Sequence, residues 1–144
     1  MVKVNFFAKQ KQKKENDMKE LIIVFIILII IIGGAIYTNN YLKNSSEQLI
    51  GQLEDLKQSA RKNLETNGLK TQVEKLYNNW EQTEEKWALV VSHTELDLIE
   101  TGFVRLKAQI EEEELERSIE EIDATIFLVN HISEKERFCL KNVF

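Results

Sequence analysis

The chain has 144 residues, no proline, five glycines, one cysteine and a formal net charge of −5. That length accommodates one domain, and the scarcity of turn-forming residues favours helices over strands. From Lys43 onward 13 Lys and Arg stand against 21 Asp and Glu, an acidic balance that repels phosphate backbones and argues against nucleic-acid binding.

Residues 1–20 form a basic flank. Six lysines (Lys3, Lys9, Lys11, Lys13, Lys14, Lys19) accompany three acids (Glu15, Asp17, Glu20). Met18-Lys19-Glu20-Leu21 has the form of a natural beginning, so Met18 is an alternative start. Residues 21–42 follow as an unbroken apolar run from Leu21 to Ile32, extended by Gly33-Gly34-Ala35-Ile36-Tyr37, with no charge before Lys43. At about 1.5 Å per residue, a helix of about 20 residues crosses the roughly 30 Å hydrocarbon layer. The run is apolar on every face, unlike a helix that packs on a core. Tyr37 and Tyr41, spaced i, i+4, fit an interfacial aromatic belt. Gly33-Gly34-Ala35 leaves a cleaved signal peptide as the rival reading. The long uncharged continuation favours an uncleaved transmembrane helix, in contact with lipid from Leu21 to Leu42. The lysine excess predicts a cytoplasmic N-terminus and a C-terminal domain outside the cell membrane. With a start at Met18, Lys19 and the terminal amine alone carry that orientation.

Residues 43–144 are expected to form a helical domain. A first helix over 46–66 opens on a capping box, Ser45 with Gln48. Its stripe is Leu49, Leu53, Leu56, Ala60 and Leu64, and Asn67-Gly68 suits its C-terminus. A second helix over 69–91 carries a heptad seam of Leu69, Val73, Leu76, Trp80, Thr83, Trp87, Val90 and Thr94. Trp80 and Trp87 lie in register with the aliphatic positions, so core packing is favoured over a ligand-stacking pair. Ser92 with Glu95 forms a second capping box, flanked by Val91 and Leu96 as a hydrophobic staple. The third helix, 93–110, buries Leu96, Ile99, Phe103, Leu106 and Ile110.

Glu111 to Glu114 suit the solvated start of a fourth helix over 114–131, and they lack the spacing and turn glycine of a calcium loop. That helix carries Leu115, Ile119, Ile122, Ile126, Phe127 and Val129. Ser133 with Glu136 opens a short last helix over 134–141 through Phe138 and Leu140, and Asn142-Val143-Phe144 reads as a docked end. Cys139 cannot close a disulfide within the chain. It reads as a small apolar residue, with an intermolecular bridge as the alternative. The fold class is therefore all-α: a single N-terminal transmembrane helix followed by a small extracytoplasmic helical bundle.

Chemistry is sparse. No glycine-rich phosphate loop, paired cysteines or strand-turn-helix nucleophile is present. The expectation is a non-enzyme without a cofactor and with no catalytic residue. The strongest constellation is His93-x-Glu95-x-Asp97-x-x-Glu100. His93 and Asp97 are i, i+4 neighbours, and with Glu100 and a further ligand such as His131 they could hold a metal. Helix capping and local ion pairing explain the same residues more simply, so no metal site is assigned. Trp80, Trp87, His93, Glu95 and Asp97 remain as interaction or core-seam positions.

Trp87, the segment Ser92-His93-Thr94-Glu95-Leu96-Asp97, and the tail His131-Ile132-Ser133-Glu134 with Leu140-Lys141-Asn142-Val143-Phe144 make a distinctive combination. It resembles a family of short membrane-anchored bacterial proteins catalogued as domain of unknown function 4363, frequent in anaerobic Gram-positive spore-formers. The likeness runs from about Met18 to the end. Family members typically begin with a lysine beside the membrane run, whereas Met1 to Asp17 depart from that pattern. The resemblance implies an envelope location, a link to spore-forming physiology and no established activity.

The expected function is a non-enzymatic interaction or scaffold module. Its partner is expected to be an integral membrane protein or a second copy of the chain. The alternative is a ligand- or metal-responsive sensor using the His93/Asp97 face.

Overall fold

The structure is a computed structural model that describes the backbone over residues 2–62 and 65–141 and the side chains of residues 18–62 and 65–136. Among the described residues there are four helices and no strand: α1 (Val2–Arg61), α2 (Thr66–Trp87), α3 (His93–Glu111) and α4 (Leu115–Lys141). The chain divides into two units, residues 1–38 and 39–144.

The first unit holds the apolar run. From Leu21 to Ile31 every large side chain is between 47% and 67% exposed, and this part of α1 is long and apolar enough to cross a membrane. Exposed apolar area is unfavourable in water by about 25 cal/mol per Å², so a run that covers none of its faces calls for an apolar surrounding.

The second unit is an antiparallel succession of helices, because its connections are short. The register follows from named contacts. Trp87 donates Nε1–H to Ser45 Oγ at 2.9 Å, and Asn79 donates to Gln52 at 2.8 Å, which pairs α1 with α2. Lys107 pairs with Glu74 across α2 and α3, and Lys135 with Glu95 across α3 and α4. Lys57 of α1 reaches Asp123 of α4. The core between them contains the predicted seam residues Leu49, Leu53, Leu56 and Ala60 of α1, Leu69 to Trp87 of α2, and Leu96, Ile99, Phe103, Leu106 and Ile110 of α3.

Several expected boundaries are corrected. No helix begins at 46, because α1 continues through Ser45-Ser46. Their hydroxyls bond back to Tyr41 O at 2.7 Å and Lys43 O at 2.9 Å instead of capping a new helix, an alternative open to serine inside a helix. Asn67-Gly68 does not end α1 but lies in the first turn of α2, where Gly68 N–H donates to Glu65 O. Leu64 lies outside the described residues. The second helix ends at Trp87 rather than 91, so Val90 sits half-buried in a turn and Thr94 is exposed. The fourth and fifth helices, expected over 114–131 and 134–141, are one. At Ser133 the hydroxyl bonds back to Asn130 O at 3.3 Å and the helix runs on. The side chains of Phe138, Cys139 and Leu140, and residues Asn142 to Phe144, lie outside the described residues.

The inward face of α4 also differs from the expected stripe. Ser118, Ile122, Thr125, Val129 and Ile132 are buried, Ile119 and Ile126 lie at its flank, and Phe127 is 65% exposed. The buried hydroxyls are satisfied locally, Ser118 on Leu115 O and Thr125 on Glu121 O.

The four glutamates also divide differently. Glu111 ends α3, and Glu113 adopts φ 62° in the turn. Glu114 N–H bonds to Gln109 O at 2.9 Å and Glu113 N–H to Ile110 O at 3.3 Å, the paired bonds of a Schellman C-terminus. A left-handed non-glycine residue costs of order 1–2 kcal/mol, and glycine loses about 0.5–1 kcal/mol more backbone entropy on ordering. Glu113→Gly is therefore expected to raise bundle stability, by up to about 1 kcal/mol, whereas Glu113→Val lowers it. Thermal melts of the two variants beside the parent check this.

Candidate functional site

Among the described residues, two clusters carry much of the polar chemistry of the bundle. The first joins α2 and α3. Tyr77 and Trp80, i and i+3 on α2, both donate to the Glu100 carboxylate, the hydroxyl at 2.5 Å to Oε1 and the indole N–H at 2.6 Å to Oε2. Trp80 is fully buried. It stacks on Phe103 at 5.5 Å and meets Trp87 edge-on at 5.9 Å and 84°. The two tryptophans are thus core residues, as the seam predicts, and their N–H groups are spent inside the bundle. Glu84 is also close, and burial raises its pKa, with Glu100, Asp97 and Glu81 adding to the rise and His93 opposing it.

The hydrogen bond to Glu100, with burial, pushes the Tyr77 phenol up to about 12. Because the folded value exceeds the ordinary 10.0, the linked stability is present below pH 10 and is lost as pH rises towards about 12. Ultraviolet titration of tyrosinate is expected to show a step near pH 12 that Tyr77→Phe removes.

The second cluster lies where α3 begins and α4 nears its end. Ser92 is the N-cap of α3 with extended backbone but makes no side-chain capping bond; its Oγ donates instead to Glu95 at 2.9 Å, so the expected reciprocal capping box is not complete. Lys135 reaches the other Glu95 oxygen at 2.5 Å. That bond is the main force holding the Glu95 carboxyl below its usual value, assisted by the Ser92 hydroxyl and N–H against the opposing effect of burial. Val91 and Leu96 are both buried beside the cap, the staple arrangement. His93 and Asp97 are exposed. On α4, His131 stacks on Phe127 at 5.6 Å and 8°, and both are exposed. The segments 92–97 and 131–134, separated by most of two helices, therefore meet at one end of the bundle.

The candidate His93–Asp97–Glu100 grouping, to which no metal is assigned, does not come together as a ligand set among the described residues. Glu100 turns to Tyr77 and Trp80, and among the described residues no group of three His, Cys, Asp or Glu side chains is placed to hold a metal. His131 faces Phe127.

A shallow groove of about 240 Å³ separates α1 from α2. Its lining includes Tyr41, Asn44, Gln48, Asn79, Gln82 and Lys86 and no carboxylate. Lys86 Nζ sits 5.2 Å from the centre of the Tyr41 ring. This groove, the Glu100 acceptor role and the Lys135 partner of Glu95 were not foreseen. The one sequence signal for Glu100 was its position seven residues, two helical turns, beyond His93. The carboxamides of the groove are spread over two helices with no motif.

A family model described as Domain of unknown function (DUF4363) matches residues 36–143. No curated protein and no solved structure matches the chain. The matched stretch begins at Ile36, so the likeness expected from Met18 onward is found only from there. It takes in Trp87, the Ser92–Asp97 segment, the His131–Glu134 segment and nearly all of the bundle. On that match, well over half of its length, the chain belongs to the DUF4363 family of domains of unknown function.

Proposed function

We propose that the protein is a single-pass membrane protein whose bundle is a non-enzymatic docking module for another integral membrane protein. The observation that carries this reading is the unburied apolar run, with Ile30 67% exposed and its neighbours close to that, joined to a folded acidic bundle. The lysine-rich flank favours a cytoplasmic N-terminus and a bundle on the outer face of the cell membrane, which makes the protein part of the cell envelope.

The partner surface is not the tryptophan seam, because Trp80 and Trp87 are consumed by the core. The better candidate is the exposed Phe127–His131 pair on α4. An exposed aromatic beside titratable groups is the kind of anchor that interfaces use. A photo-crosslinking amino acid at Phe127, in cells, is expected to give a discrete adduct heavier than the chain itself. The same group at Val104, an exposed mid-helix position of α3, is expected to give none. An adduct of twice the chain's 16.9 kDa identifies a second copy instead of another protein. Equal labelling at both positions, or none, removes the docking reading.

A further inference from the structure

We infer that the turn between α2 and α3 is a second membrane contact, with Leu89 and Val90 resting in the interfacial layer of the bilayer that holds the apolar run. The inference rests on the membrane-anchor reading above. Turns ordinarily recruit Gly, Asn, Asp, Ser and Pro and run through water. This one reads Ala88-Leu89-Val90-Val91. Leu89 is 84% exposed, more than any residue of the apolar run, while Val91 is buried in the core.

The turn is well fixed. Ala88 N–H donates to Glu84 O, and Val90 and Val91 N–H both donate to Trp87 O. With Val91 anchored inward, Leu89 is held outward by structure and not by looseness. A single exposed leucine is ordinary on a protein surface, and its position is what sets this one apart. Trp87 bonds to Ser45, and Lys86 lies over Tyr41. The turn is therefore level with residues 41–45 of α1, which follow directly on the uncharged run in the sequence. Tyrosine and lysine are the side chains that settle at the headgroup level, the ring amphipathic and the ammonium reaching to water.

Both ends of the bundle carry acids, but around the α2–α3 turn Glu84, Glu85, Glu95 and Asp97 are accompanied by Lys86 and Lys135. In the antiparallel register the α3–α4 turn lies at the opposite end of the bundle, and that turn carries Glu111 to Glu114. The end with four consecutive glutamates and no interleaved cation is thereby kept from anionic headgroups, which would repel it.

The test uses the full chain with Cys139→Ser, reconstituted in vesicles of phosphatidylcholine and phosphatidylglycerol. A polarity-sensitive fluorophore is placed singly on Leu89→Cys, Val104→Cys, Glu113→Cys and Ile30→Cys. At Leu89 the emission is expected to shift to the blue and to be quenched by lipids bearing a nitroxide near the headgroup. The fluorophore at Val104 and Glu113 is expected to stay in water, and at Ile30 to be quenched by a nitroxide deep in the acyl chain. If Ile30 is quenched while Leu89 behaves like Val104, the turn is off the membrane and the inference fails with the anchor intact. Shielding of Leu89 from aqueous iodide without quenching by lipid nitroxide assigns the turn to a protein contact and also overturns it. Failure of quenching at Ile30 as well overturns both the inference and the anchor.

Discussion

Replacing Trp80 with alanine is expected to remove about 3–5 kcal/mol of stability, a large share of the usual total of about 5–15 kcal/mol. Three losses coincide at this position. The indole is fully buried, so truncation leaves a cavity that neighbouring side chains fill only in part. The stack on Phe103 and the edge contact with Trp87 both vanish. The Glu100 carboxylate, already partly withdrawn from water, keeps Tyr77 as its donor and loses the indole N–H. Trp80→Phe separates these effects. It keeps most of the ring packing and deletes the donor, and a hydrogen bond to a charged group is worth about 1.5–3 kcal/mol. Urea unfolding of the two variants in detergent micelles, followed by helical circular dichroism, measures the difference. Equal loss in both variants would assign the whole effect to the hydrogen bond and none to the cavity.

Gly102→Ala is the second large effect. In an unconstrained helix the change would favour folding, since alanine is better than glycine by about 1 kcal/mol. Here a Cβ would stand 2.7 Å from Thr125 Oγ1 and 3.6 Å from Thr125 Cβ, and Thr125 is itself fully buried. A β-branched side chain on a packed helix has little room to turn away. Overpacking of this kind costs about 1–3 kcal/mol. The double variant Gly102→Ala with Thr125→Ala removes the opposing oxygen, so its stability is expected to exceed the sum of the two single effects. A double-mutant cycle reads the coupling; additivity within error would show that α3 and α4 are not in close contact there.

The same contact explains part of what the sequence did not disclose. The apolar residues of α4 suggested an inward stripe through Ile119 and Ile126, with Phe127 beside it. Gly102 lets α4 approach α3 closely, so small polar residues, Ser118 and Thr125, occupy the buried positions and the larger side chains move to the flank or outward. Hydroxyl back-bonding makes that burial tolerable, and nothing in a periodicity count registers it. The serine-led pattern misled in a similar way. Ser45, Ser92 and Ser133 each precede Gln or Glu by three residues. Only Ser92 occupies an N-cap position, because only there do Val91 and Leu96 pack on either side of a turn, and even its hydroxyl turns to Glu95 and not to a backbone N–H. The seams of α2 and α3 were legible because every third or fourth residue is large and apolar. The role of Glu100 was not, since its partners lie on a different helix. The cluster where α3 begins and α4 nears its end was partly visible, in that Ser92–Asp97 and His131–Glu134 stood out as motifs, but only the fold shows that they meet.

A membrane-anchored bundle on the outer face can be examined in one experiment on cells. The chain, carrying a C-terminal epitope, is produced in a Gram-positive host, and intact protoplasts are treated with protease. Membranes are also washed with alkaline carbonate. The expected result is loss of the epitope from intact protoplasts, with untreated chain retained in the washed membranes. An epitope cut only after lysis would place the bundle inside the cell, and release of the chain by carbonate would show that the apolar helix does not span the membrane.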